Sequence, residues 1–172
     1  MRSANLPSRP VDRRPQDAPG DCGDRLNLLL SYGGWEDESW VDRIPALLSP
    51  LGVATHRAES ARHASDVIQS TPIHIAVVDL GLPFDANRSP ATPDEAGTRV
   101  LELLRRLPNQ PPSLVIKRSR TQREAAREIN AALRSGAFAV LDRPRETREL
   151  ELLLEALRRC LVRHYGGQWP GL

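Results

Sequence analysis

Asp79 stands at the end of a mostly apolar run, Ile73–Val78, and is followed by Leu-Gly-Leu-Pro. A carboxylate in that place has two uses. It caps the turn that follows, or it is presented to a ligand at the carboxyl edge of a sheet. Arg143-Pro144 closes another short apolar run, Phe138–Leu141, and brings a cation to what would be the same edge. Glu36, Asp37 and Glu38 follow the first apolar run of the chain. They read either as oxygen ligands for a cation or as the acidic first turn of a helix. His56, His63, His74 and His164 are scattered, and Cys22 and Cys160 lie far apart. No Ser-His-Asp, Cys-His or metal-ligand spacing emerges. The chain therefore reads as a binding protein, not an enzyme.

Charge narrows the partners. The formal net charge is +2, too small to indicate a nucleic-acid binder. Its distribution is uneven. Between Lys117 and Arg134 lie Lys117, Arg118, Arg120, Arg123, Arg127 and Arg134, against Glu124 and Glu128. Such a run is a solvated helix face or a docking surface for an acidic protein. Arg118, Arg120, Arg123 and Arg127 are its candidate contact residues. Lys117 is the chain's one lysine; arginine serves almost everywhere else. No stretch approaches 18 consecutive apolar residues, so no membrane span is expected. The first twenty residues lack the apolar core of a secretory signal. With two cysteines and no disulfide framework, a cytoplasmic setting is expected.

These side chains need elements to position them. Residues 1–24 hold four prolines and little apolar content, the composition of a disordered tail. Residues 166–172 form a short C-terminal tail. Between them, over 25–165, short apolar runs alternate with amphipathic helical patterns. Strands are expected at Leu26–Ser31, Val53–Arg57, Ile73–Val78, Leu114–Lys117 and Phe138–Leu141. Apolar residues recur at helical spacing over Trp40–Leu51, from the Ser60 cap to Ile68, over Ala96–Leu107, from Thr121 to Leu133, and over Leu150–Leu161. Thr121-Gln122-Arg123-Glu124 is a capping box, and Gly52 and Gly136 are helix stops. Five strands in strict alternation with five helices require crossover connections. The fold class is thus α/β: three layers, with a doubly wound five-stranded parallel sheet of flavodoxin-like topology.

The motif Asp79-x-x-Leu82-Pro83, then Gly97-x-x-Val100-Leu101 and Leu104-Arg105, resembles the signature around the phosphoacceptor aspartate of response-regulator receiver domains. Gly136-Ala137, followed by a strand that closes on a basic residue and proline, resembles that family's fifth strand. The resemblance spans about 25–165 and marks the chain as an atypical, pseudo-receiver-like member of two-component signalling. It implies that Asp79 accepts a phosphoryl group. It also implies Mg²⁺ held by Asp79 and a pair of acids, and phosphate oxygens held by a hydroxyl after the fourth strand and by a lysine on the fifth.

This chain departs from that set. Ser31-Tyr32 replaces the acidic pair. Asp37 and Glu38 come several residues late as metal ligands. Ser119 or Thr121 is left for the hydroxyl, and Arg143 stands in the lysine position. Val140 replaces the expected aromatic, and an insertion fills 84–96. The expectation is a stand-alone receiver-like module that acts through protein contacts without phosphorylation and carries no cofactor. Its partner would be a histidine kinase, an acidic signalling protein or a second copy. Two alternatives stay open. One is a live phosphorelay regulator phosphorylated on Asp79 with Mg²⁺. The other is a flavodoxin-like protein that binds a nucleotide or another small ligand.

Overall fold

A computed structural model describes residues 25–33, 39–86, 96–118 and 121–168. The sequence-predicted tail 1–24, most of the insertion and Glu36–Glu38 lie outside these residues. The strands are β1 (Leu26–Ser31), β2 (Val53–Ala58), β3 (Ile75–Asp79), β4 (Ser113–Ile116) and β5 (Ala139–Leu141). The helices are α1 (Ser39–Leu48), α2 (Ala61–Ser70), α3 (Ala96–Arg105), α4 (Gln122–Arg134) and α5 (Thr147–Tyr165). All strand pairs are parallel, in the order β2-β1-β3-β4-β5. This is the expected doubly wound sheet.

Alternation along each strand sends neighbouring side chains to opposite faces. Leu26, Leu28, Leu30, Ile75, Val77, Leu114 and Ile116 pack with α1 and α5. Leu29, Ala76, Val78 and Val115 pack on the other face, with α2, α3 and α4. Each fully buried leucine or isoleucine contributes about 1.5–3 kcal/mol, so these two layers fix the sheet register. Asp79, in register with Ile116, is thereby held at the end of the central strand.

Local chemistry sets the ends of the helices. The Ser60 side chain accepts from the His63 N–H at the start of α2. Both halves of the Thr121–Glu124 capping box are formed on α4. Gly52 sits at φ 75° and Gly136 at φ 81°, the left-handed region where glycine carries no Cβ penalty.

Three details differ from the expected pattern. The helical pattern expected over Trp40–Leu51 ends as α1 at Leu48, with Pro45 inside it, and continues as a 3-10 turn over Ser49–Leu51. β3 begins at Ile75, not Ile73. There the His74 ring Nδ1 takes the Asn27 N–H at 2.9 Å, so ladder pairing with β1 starts one residue later. On α4, Leu133 is 52% exposed and Ala132 is the buried residue. The helix rests on a small side chain, not on the leucine that periodicity favoured.

Candidate functional site

The site forms where β1, β3 and β5 end together. Asp79 is fully buried. Its Oδ1 accepts from the Gly81 N–H at 2.7 Å and from Arg143 Nη2 at 3.2 Å. Its Oδ2 accepts from the Gly33 N–H at 3.3 Å and faces the same Nη2 at 3.1 Å. A buried carboxylate costs several kcal/mol unless paired and hydrogen-bonded, and here each oxygen has both kinds of partner. Arg143 reaches the aspartate from just beyond β5, with its own side chain 24% exposed. The ring-constrained, buried Pro144 follows it.

Two glycines allow this closeness. A Cβ on Gly33 would stand 2.7 Å from the Gly81 carbonyl oxygen, so only glycine lets the loop after β1 approach Asp79. A Cβ on Gly97 would collide with the Asp79 carbonyl, so the first turn of α3 packs directly on the backbone at the end of β3.

Ser31, where the resemblance implies an acid, has another use. Its Oγ donates to the Val77 carbonyl at 3.0 Å and accepts from the Asp79 N–H at 3.1 Å. The hydroxyl thus staples β1 to β3 beneath the carboxylate. Tyr32 turns away and its hydroxyl bonds Glu59 at 3.0 Å. Lys117 pairs with Asp142 at 3.0 Å, so the chain's lysine is held at the β4–β5 edge.

The structure brings together some of the predicted residues and separates others. Arg143 meets Asp79. The Arg118 stem lies close by, its Cγ 3.5 Å from where a Cβ on Gly81 would stand. Thr121 is the exposed cap of α4, accepting from the Glu124 N–H and bonding its carboxylate, so its hydroxyl serves the helix. Ser119, Arg120, Asp37 and Glu38 lie outside the described residues. Arg123 and Arg127 are exposed one turn apart on α4. Sequence reasoning missed Ser31 and the Gly33 and Gly81 amides. The signal for the glycines was only their type, and their partner lies far along the chain.

Among the described residues no group of three or more His, Cys, Asp or Glu side chains converges. The donor set among the described residues does not fit Mg²⁺, which needs several oxygens in octahedral array. The Asp79 carboxylate already faces a guanidinium and two N–H donors.

Neither a family model nor a curated protein sequence matches the chain. Solved structures do. A CheY-like response regulator receiver domain from Methanospirillum hungatei superposes with a TM-score of 0.59 at 18% identity, over 81% of this chain and 96% of the other. The signal receiver domain of an HD domain-containing protein from Pseudomonas fluorescens gives 0.56 at 23% identity, over 82% and 98%. The non-phosphorylated HemR receiver domain from Leptospira biflexa gives 0.57 at 18%, over 80% and 94%. The chain has the receiver fold. In the receiver fold seen here, the end of β3 carries an aspartate bound by an arginine from beyond β5. No described helix is long and apolar enough to cross a membrane.

Proposed function

We propose that this protein is a receiver-like regulatory module that works by binding other proteins, with Asp79 held by Arg143 instead of being phosphorylated. One observation carries the reading: both Asp79 oxygens are occupied by the Arg143 guanidinium and by backbone N–H groups. A phosphoryl donor needs a carboxylate oxygen with an open approach and a cation to neutralise the transferred oxygens. Arginine supplies a fixed planar cation that binds the carboxylate itself. The pair replaces the charge balance that a metal would give, and the site is closed without a covalent step.

Output then depends on surface. α4 presents Arg123 and Arg127 on an exposed stripe. This stripe suits an acidic protein partner in the cytoplasm, and its contacts should weaken with salt because exposed charges are screened within about 10 Å at 0.1 M.

The test is intact mass after incubation with acetyl phosphate and Mg²⁺. The expected result is no phosphoryl adduct. An adduct on the wild type that is absent from Asp79→Asn replaces this reading with an ordinary phosphorelay, in which a histidine kinase would be the partner.

A further inference from the structure

On the face of the sheet opposite α1 and α5, α2 and α3 leave a groove between them. The sequence makes the gap: α2 turns Ala61, Ala64 and Ser65 toward the sheet and α3, where larger residues would fill the space. The cavity holds about 450 Å³, the size of an ordinary ligand pocket. Its floor is Ala61, Val100 and the 37% exposed Leu103. Phe84 closes one end, and beyond it the depression continues as a second cavity of about 710 Å³. Phe84 is pinned, because the first N–H groups of α2 bond the carbonyls of Pro83 (2.9 Å) and Phe84 (3.2 Å).

The rim has an order. α2 and α3 each follow a strand of a parallel sheet, so they run in the same direction. Arg62 of α2 and Arg99 of α3 both stand over the Phe84 ring, at 6.0 and 5.9 Å from its centre. They form one cationic rung. One turn on, Asp66 and Glu102 line the groove as an acidic rung. Arg106 follows just beyond the end of α3. Arg62 is paired with Asp85 at 3.0 Å. Arg99, Arg106, Asp66 and Glu102 have no ion-pair partner among the described residues. Like charges thus face each other across an apolar floor, an arrangement that is unfavourable until something of the opposite order lies between them.

We propose that this groove is a docking site for an amphipathic helix of a partner protein. The helix would place an apolar ridge against Leu103 and Val100, an acid at the Phe84 end, and a base one turn further along. Charge complementarity selects this occupant, because an acid and a base at i and i+4 on a helix are about one turn, 5.4 Å, apart. Concavity argues against a second copy, since two such grooves face to face would enclose a void in place of packed atoms. The site is separate from Asp79 and from the α4 face, and it stands whether or not Asp79 is phosphorylated.

The test uses two short stapled helical peptides with the same leucine ridge. One carries Glu and Arg one turn apart beside the ridge; the other carries Gln at both positions. Fluorescence anisotropy reads binding to the full chain. The expected result is that the first peptide binds about tenfold or more tighter than the second, a specificity set by the charge pair. Leu103→Glu should abolish binding with an unchanged melting temperature, since the side chain is already part exposed. Arg99→Glu combined with Glu102→Arg should weaken the preference, because each rung then carries one charge of either sign. Equal binding of the two peptides, no binding of either, or binding unaffected by Leu103→Glu overturns the proposal. So does sedimentation showing a wild-type dimer that Leu103→Glu dissolves, which would give the groove to a second copy.

Discussion

Replacing Arg143 by leucine removes the cation from a carboxylate with no exposure to solvent. Removing one partner of a buried pair costs about 3–5 kcal/mol. Two features reduce that figure here. Arg143 is 24% exposed, so part of the attraction is already screened by water. Asp79 also keeps the Gly81 and Gly33 N–H donors, at 2.7 and 3.3 Å. The expected loss is therefore about 2–3 kcal/mol, or roughly 6–10 °C in Tm for a domain of this size. Asp79→Asn should cost less, about 1–2 kcal/mol, because it leaves no buried charge and Arg143 can turn toward water. The double variant should be less unstable than the two single losses combined, with a coupling of about 1–3 kcal/mol. Urea unfolding of the four proteins, at fixed pH and salt, closes the cycle. A loss below about 1 kcal/mol for Arg143→Leu, or strictly additive losses, refutes the view that this pair holds the strand ends together.

The remaining predictions concern the surface, the far end of the sheet, a helix cap and a thiol. Arg123→Glu with Arg127→Glu should abolish capture of an acidic partner while moving Tm little, because both side chains are exposed; an undiminished complex moves the interface elsewhere. The His74 Nδ1 accepts the Asn27 N–H and burial lowers its pKa from 6.5. The unfolded chain therefore binds that proton more readily than the folded one. Its stabilisation is present above pH 6.5 and is lost as pH falls from there through the lowered folded value. Melts between neutral and mildly acidic pH should show a steeper fall for wild type than for His74→Gln, and matching curves would dismiss the role. Thr121→Ala should cost about 1 kcal/mol by urea unfolding through loss of the α4 capping box. Burial pushes the Cys160 thiol up to about 12, so a native-state alkylation assay with site mapping should find it unmodified until the protein unfolds.

Much of the frame could be read from the sequence because it is local. The Ser60 and Thr121 caps act over three residues, and β1 and β3 show as short, mostly apolar runs. Asp79 at a strand end and Arg143 before a proline were visible for the same reason. Their meeting was not, since they are 64 residues apart and joined only by strand order. Ser31 shows the limit more sharply. By residue type it stands where the resemblance implies a metal ligand, yet in the fold its hydroxyl bonds both Val77 and Asp79, a role written in the register of β1 against β3. The α4 stripe misled in the other direction. Helical spacing favours Leu133 for the interior, but α4 lies by the short edge strand β5, whose residues are only half-buried, and Ala132 suffices to cover it.

The residues at the strand ends fit one another. An aspartate buried there without a fixed cation would be an uncompensated charge, among the costliest defects a core can hold. A bound metal beside the arginine would crowd like charges at one carboxylate. Arg143 on Asp79, Ser31 as a staple and the Gly33 amide on Oδ2 form a set in which each contact supports the others. Arg143→Lys alone should then not reopen the site, because the serine and the glycine amide would still close it. Creating Mg²⁺ affinity should require Ser31→Asp together with Arg143→Lys, and titration calorimetry on the two variants separates these outcomes. Submillimolar Mg²⁺ binding by Arg143→Lys alone would show that the arginine is the sole barrier and that the three contacts are not a set.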